Sequence, residues 1–368
     1  MGFNAGKVRK AVTNLRPYVP GKPIQEVERE LGITGIVKLA SNENVVGTSP
    51  KAQDAMREAV DKLYLYPENT CHYIKSAIAQ KFGIETSNVI CGNGAVEVIY
   101  QVCQVLNEDG DELVEADPSF MSYSIAGKLM GGEIIQVPLT ADFRHDIPAM
   151  VKAITPRTKI VWICSPNNPT GTITTGEELK YYFDNVSDDV LTVIDEAYYD
   201  FVDDPEYPDS LEYLRQGRNV MVLRTMAKSG GIAGIRFGFG MTHPELVDFC
   251  ERVRVTFSVN SLAQVAAVAA LADTEHIAEG KRHLHSELGR LYACFDELGL
   301  EYCRTQGNFV WLHTGMDSKQ VASTLMHQGV LIRPGWIFGH DEYIRVSVGR
   351  VEENDRFMEC LRELIKGK

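Results

Sequence analysis

No pair among the eight cysteines of this 368-residue sequence has C-x-x-C spacing, and no Cys/His cluster has zinc-site spacing. Redox-motif and structural-zinc readings are therefore excluded. Several cysteines lie inside apolar runs, such as Cys164 in Ile160-Val-Trp-Ile-Cys, so buried free thiols and a reducing compartment are expected. Long hydrophobic runs are also missing. The most apolar stretch, Leu262–Ala272, is short and contains Gln264, so it cannot span a bilayer. Residues 1–20 carry basic side chains but no apolar h-region, and Gly6 stands where a myristoylation pattern needs Ser or Thr. Basic residues are in deficit, 37 against 50 acidic ones, for a formal net charge of -13. Such a surface repels phosphate backbones and anionic lipid, so neither nucleic acid nor membrane is an expected partner. A cytoplasmic location follows as the expectation.

What is present is ordinary soluble-protein material: 44% hydrophobic and 24% charged residues, without repeats or low-complexity blocks. The length fits one large domain plus a smaller one, or an elaborated single domain. Leu15-Arg-Pro-Tyr-Val-Pro-Gly reads as an extended arm, because its prolines disfavour helix. Pro23–Leu31 reads as a short helix, and further helical patterns cover 51–63, 70–82 and 95–106. Short β-branched runs then alternate with helices at Glu112-Leu-Val-Glu, Glu133-Ile-Ile-Gln-Val, Ile160–Cys164, Leu191–Asp195 and Val220–Arg224. This alternation predicts an α/β fold, a mainly parallel sheet flanked by helices. After residue 257 the texture changes to long helices, 261–272 and 275–298, with strands near 309–313 and 343–347 and a last helix at 352–365. The expected division is an arm at 1–19, a large domain at 51–257, and a smaller α+β domain built from 20–50 and 258–368.

Ligands of parallel α/β sheets collect at the carboxyl ends of the strands, and here those ends are chemically crowded. One strand runs into Ser165-Pro-Asn-Asn-Pro-Thr-Gly171, the next ends in Asp195-Glu-Ala-Tyr198, and a third runs into Thr225-Met-Ala-Lys228. Arg236 follows the lysine by eight residues, and Gly92-Asn-Gly94 opens a helix whose free N–H groups favour an anion. Taken singly, each is commonplace: a turn, a helix cap, a solvated lysine, a surface arginine. Together they meet one need. An amine-transferring cofactor requires a lysine to capture its carbonyl, an acid beside its ring nitrogen, donors for a phenolic oxygen and a nest for a phosphate.

These motifs, in this order, resemble those of the fold type I pyridoxal-phosphate aminotransferases, and within them the histidinol-phosphate aminotransferase family. The similarity runs from Leu15-Arg-Pro-Tyr-Val-Pro-Gly-Lys-Pro through Lys38-Leu-Ala-Ser-Asn-Glu-Asn44 and Tyr66-Pro-Glu to Tyr343-Ile-Arg-Val-Ser-Val-Gly349. The resemblance implies pyridoxal 5′-phosphate carried on Lys228, with Asp195 at its pyridine nitrogen. Asn168 and Tyr198 would bond the phenolic oxygen, and Phe120 would stack on the ring. Gly94, Ala95, Thr225 and Arg236 would hold the phosphate, with Tyr66 reaching in from the second subunit of a homodimer. No metal is implied. By the same resemblance Arg345 would bind the carboxylate of glutamate or 2-oxoglutarate and the phosphate of histidinol phosphate. Arg333 and Tyr18 are the candidates for assisting with that phosphate. Two departures stand out. Ala227 replaces the serine usual before the lysine, and Phe120 replaces a common tyrosine.

The implied reaction transfers the amino group of histidinol phosphate to 2-oxoglutarate, a step of histidine biosynthesis. The nearest rival is an aromatic amino-acid or other 2-oxoacid aminotransferase, since imidazole and phenyl rings are alike in size. A threonine-phosphate decarboxylase-like lyase would share the scaffold but ignore 2-oxoglutarate. A cofactor-sensing regulator would need a DNA-binding module, which the acidic chain does not supply. A dehydrogenase is disfavoured because no third glycine completes the fingerprint after Gly94.

Overall fold

A computed structural model describes residues 3–13, 15 and 21–367. Along the chain, β1 (Val37–Leu39) precedes β2 (Val89–Gly92), β3 (Glu112–Asp117), β4 (Glu133–Pro138) and β5 (Thr158–Cys164). Then come β6 (Leu191–Asp195), β7 (Val220–Thr225), β8 (Gly238–Met241), β9 (Phe309–His313), β10 (Val330–Pro334) and β11 (Tyr343–Ser347). Seven of them form the sheet β2-β8-β7-β6-β5-β3-β4. Only β8 runs against its neighbours, pairing antiparallel with both β2 and β7. The expected α/β fold is present.

The central strands are buried on both faces, which is why they read as continuous apolar runs. Along β5, Val161 and Ile163 point into one hydrophobic core, whereas Ile160 and Trp162 point into the core on the opposite face. The strand β8 escapes sequence detection because it is half glycine. A side chain at Gly238 would place its Cβ 2.1 Å from the Ala95 nitrogen, so only glycine lets this strand lie against that helix start.

The smaller sheet has the order β1-β10-β11-β9. Its core gathers Phe309, Leu312, Ile344 and Val346 with Leu291 and Phe295 of the long helix Thr274–Glu297 and Phe357 of the helix Val351–Lys366. The helix Ser261–Leu271 follows the expected join at residue 257, yet its Ala263, Ala266 and Ala270 pack into the core of the large sheet, with Ala52 of the helix Pro50–Ala59. Alanine is the residue that lets those two helices approach closely. No helix among the described residues is long and apolar enough to cross a membrane. All eight cysteines are free, and all but Cys303 are buried.

Candidate active site

The carboxyl ends of β5, β6 and β7 lie side by side, and the helix Ala95–Leu106 begins beside them directly after Gly94. Opposite, β10 and β11 of the smaller sheet present Arg333 and Arg345. A cavity of about 220 Å³ opens between the two sets. Ala95, Phe120, Asn168, Asp195 and Tyr198 line it from the large sheet, and so do Thr225, Lys228 and Arg236. Arg333 and Arg345 complete the wall. Ala95 and Arg345, 250 positions apart in sequence, thus share one pocket.

At its floor the Lys228 amine donates to the Ser41 carbonyl at 3.2 Å. Removal from water, with the Arg345 charge nearby, pushes this amine down to about 8. A lysine so poised is a nucleophile near neutral pH. Asp195 is buried, and that burial pushes its carboxyl up to about 6 against two donors: the Ala197 N–H on Oδ1 at 3.0 Å and the Tyr123 hydroxyl on Oδ2 at 2.6 Å. A buried carboxylate of this kind favours a cation at its open side.

Between them sits Tyr198. Its hydroxyl accepts from Asn42 Nδ2 at 2.9 Å and from Asn168 Nδ2 at 3.4 Å, which leaves its own proton for a third group. Arg345 donates to Asn168 Oδ1 at 2.6 Å and to the Ala40 carbonyl at 2.7 Å. Two residues along the same face of β11, the Ser347 hydroxyl donates to Asn42 Oδ1 at 2.8 Å and accepts the Asn42 N–H at 2.8 Å. Arg345, Asn168, Tyr198, Asn42 and Ser347 thereby form a chain of hydrogen-bonded side chains, closed into a ring through the β11 backbone, that joins the two sheets.

The third corner suits an anion. Gly94, at a φ of +84°, leads into the helix N-terminus, and a Cβ there would lie 2.4 Å from Arg236 Nη2. Arg236 itself holds a φ of +68°, a left-handed conformation costing on the order of 1 kcal/mol for a non-glycine residue. Among the described residues it has no carboxylate partner within ion-pair range. Thr225 lines the same corner, but its hydroxyl donates to the Phe237 carbonyl at 3.0 Å and accepts the Ala227 N–H at 3.1 Å. Gripping an anion requires it to exchange the first of these bonds.

The profile of the class I and II aminotransferases matches residues 34–361. This chain belongs to that family. Among similar aminotransferases, the histidinol-phosphate aminotransferase of Moorella thermoacetica is 47% identical over 98% of this chain and 93% of its own length. Histidinol-phosphate aminotransferase 2 of Carboxydothermus hydrogenoformans is 42% identical over 98% of this chain and 99% of its own. The crystal structure of the Sinorhizobium meliloti histidinol-phosphate aminotransferase, in complex with pyridoxal-5′-phosphate, superposes with a TM-score of 0.91. It is 25% identical, covering 99% of each chain. The aspartate aminotransferase of Thermus thermophilus shares the fold at 23% identity and a TM-score of 0.85, over 98% of this chain and 99% of its own.

The pocket of this aminotransferase fits pyridoxal phosphate on its own geometry. An anion corner, an amine with lowered proton affinity and a buried carboxylate occupy three separate walls. Two expected residues are not among those walls. Tyr66 is 81% exposed and stacks on Phe257 at 4.7 Å, away from the cavity of its own chain. Tyr18 lies outside the described residues. Asn42, Ser347 and Tyr123, in turn, escape residue-by-residue reading. Asn42 sits inside the Lys38–Asn44 motif, Ser347 lies two residues after Arg345, and Tyr123 falls one helical turn after Phe120. Spacing from a recognised site residue was the available signal for the last two.

Proposed function

We propose that this aminotransferase moves the amino group of histidinol phosphate to 2-oxoglutarate, giving imidazole acetol phosphate and glutamate with pyridoxal phosphate as cofactor. One observation carries the choice of substrate: Arg333 and Arg345 face each other directly across the β10–β11 ladder, both buried and both lining the cavity. Like charges set opposite in a ladder repel, and an anion between them relieves that repulsion. A phosphate dianion can engage both guanidinium groups, whereas a carboxylate is matched by one.

Bound pyridoxal phosphate supplies an electron sink that acidifies the substrate Cα–H. The remaining work belongs to this chain. Lys228 Nζ would be the base that takes the proton from the substrate Cα and holds it for return. Asp195 would keep the ring nitrogen protonated, and the Tyr198 hydroxyl would donate to the phenolic oxygen. Phe120 would stack on the ring face, and Arg236, Gly94, Ala95 and Thr225 would hold the phosphate. Arg345, already oriented by Asn168 and the Ala40 carbonyl, receives the distal anion of either substrate.

Purified protein offered histidinol phosphate, phenylalanine, tyrosine and threonine phosphate in parallel, with 2-oxoglutarate, tests this reading. Histidinol phosphate is the expected best donor, and a wide preference for an aromatic amino acid refutes the substrate. Arg345→Ala is expected to weaken both substrates by about 2–5 kcal/mol, as for loss of a desolvated charge pair. Arg333→Ala weakens histidinol phosphate selectively. An unchanged preference in that variant removes Arg333 from phosphate recognition.

The functional unit we propose is a cytoplasmic homodimer with shared sites. Tyr66 lies beside Tyr64, 83% exposed, with Leu65 and Val255 also in solvent, and contiguous apolar surface of this kind marks a protein interface. Mixing Tyr66→Ala and Lys228→Ala chains should restore activity, since each hybrid dimer holds one site free of both lesions. Random pairing sets the ceiling at about a quarter of wild-type sites. A fully active monomer in sedimentation, or no recovery on mixing, refutes the shared site.

A further inference from the structure

Asp195 is held by a residue that no reading of the strand ends supplies. Tyr123 stands in the helix Ser122–Leu129, and its ring lies flat against Trp162 of β5, centroids 4.5 Å apart and planes within 8°. Phe120, on the cavity wall, meets the same ring edge-on at 5.6 Å. Both Tyr123 and Trp162 are fully buried. Stacking fixes the phenol, and the phenol then fixes the carboxylate through the 2.6 Å bond to Oδ2.

We propose that Tyr123 is a positioning residue for Asp195, biasing the proton shared between that carboxylate and the cofactor's ring nitrogen toward the nitrogen. The proposal rests on the pyridoxal-phosphate reading of the site. A carboxylate offers about four lone-pair positions. The Ala197 N–H and the Tyr123 hydroxyl occupy one on each oxygen, and the open ones are left to the cavity. A donor to the ionised form lowers proton affinity, so the Tyr123 bond opposes the rise that burial imposes on Asp195. Burial also raises the Tyr123 phenol well above its ordinary value, so it remains a donor throughout the working pH range. Without that donor Asp195 becomes the stronger base, the shared proton moves from ring nitrogen to carboxyl, and the electron sink weakens. No atom is gained or lost in the shift. One proton changes side within a hydrogen bond.

The test is made on holoenzyme reconstituted with pyridoxal phosphate carrying 15N in the ring. The nitrogen chemical shift, kcat and KM are recorded for the wild type, Tyr123→Phe and Asp195→Asn. The phenylalanine ring keeps the stack on Trp162. Its nitrogen signal is expected to move from the protonated toward the unprotonated value, with kcat falling about tenfold, as for loss of a hydrogen bond to a charged group. KM for glutamate should change by less than about twofold, because Arg345 is untouched. A chain with 4-aminophenylalanine at position 123, a weaker donor of similar shape, should lie between the two and decides the matter if the phenylalanine variant does not fold. A nitrogen shift identical to wild type in both variants overturns the proposal. So does a fall in kcat without a change in shift, since that is what lost packing alone produces. If Asp195→Asn also leaves the nitrogen signal unmoved, the assignment of Asp195 to the ring nitrogen fails, an outcome distinct from failure at Tyr123 alone.

Discussion

Lys228→Arg is expected to lower turnover by about 10⁴-fold, the upper range for losing a positioned proton-transfer group, and to abolish covalent capture of the cofactor. Borohydride treatment of the wild type should fix pyridoxal phosphate to a single peptide containing Lys228. Recovery of the label on another lysine would falsify the assignment. The same amine gives a pH signature. With its proton affinity lowered to about 8 by burial and the Arg345 charge, the neutral, nucleophilic fraction grows as pH rises toward 8 and saturates above it. Cofactor uptake by cofactor-free protein should therefore accelerate roughly tenfold per unit below that pH and level off beyond it. An uptake rate still climbing about tenfold per unit at about pH 9 would mean that Lys228 titrates as an ordinary solvated lysine.

Asp195→Asn keeps the size of the side chain and removes its charge. Turnover should fall by about 10²–10³-fold, the range for deleting one preorganised electrostatic contact, whereas cofactor affinity falls much less. The reason is a division of labour across the pocket. On the proposed reading, Arg236, Gly94 and the helix start would hold the phosphate end, and Asp195 would meet the ring nitrogen at the other end of the same pocket. Equilibrium dialysis with pyridoxal phosphate alongside steady-state kinetics separates the two. Near-normal turnover, or loss of binding as large as the loss of rate, contradicts this division.

The fold class was legible because the central strands are buried on both faces and so carry uninterrupted apolar runs. β1, β2, β8 and β10 were not, for reasons that differ. β1 is only three residues long, β2 ends in the glycine turn that masks it, and β8 trades side chains for close approach to Ala95. The helix Ser261–Leu271 misled in a further way. Its change of texture suggests a new domain, yet an alanine-rich surface is what tight packing on the helix Pro50–Ala59 demands. Of the site, the residues at strand ends could be named, because α/β architecture gathers strand ends together. Asn42, Ser347 and Tyr123 act through other side chains, and nothing in local spacing states which partner a buried hydroxyl or amide will find. Asn42 adopts a φ of +54° to reach Tyr198 and Ser347 at once, a backbone choice visible only in three dimensions.

The ring of Arg345, Asn168, Tyr198, Asn42 and Ser347 constrains how this scaffold can diversify. Arg345 anchors Asn168, which in turn bonds Tyr198, and on the proposed reading the same arginine would receive the substrate's anion while Asn168 and Tyr198 would face the cofactor's phenolic oxygen. Exchanging that arginine to admit an uncharged substrate therefore also slackens the groups that tune the cofactor. Substitutions around it become epistatic, with the effect of each depending on whether the ring is closed.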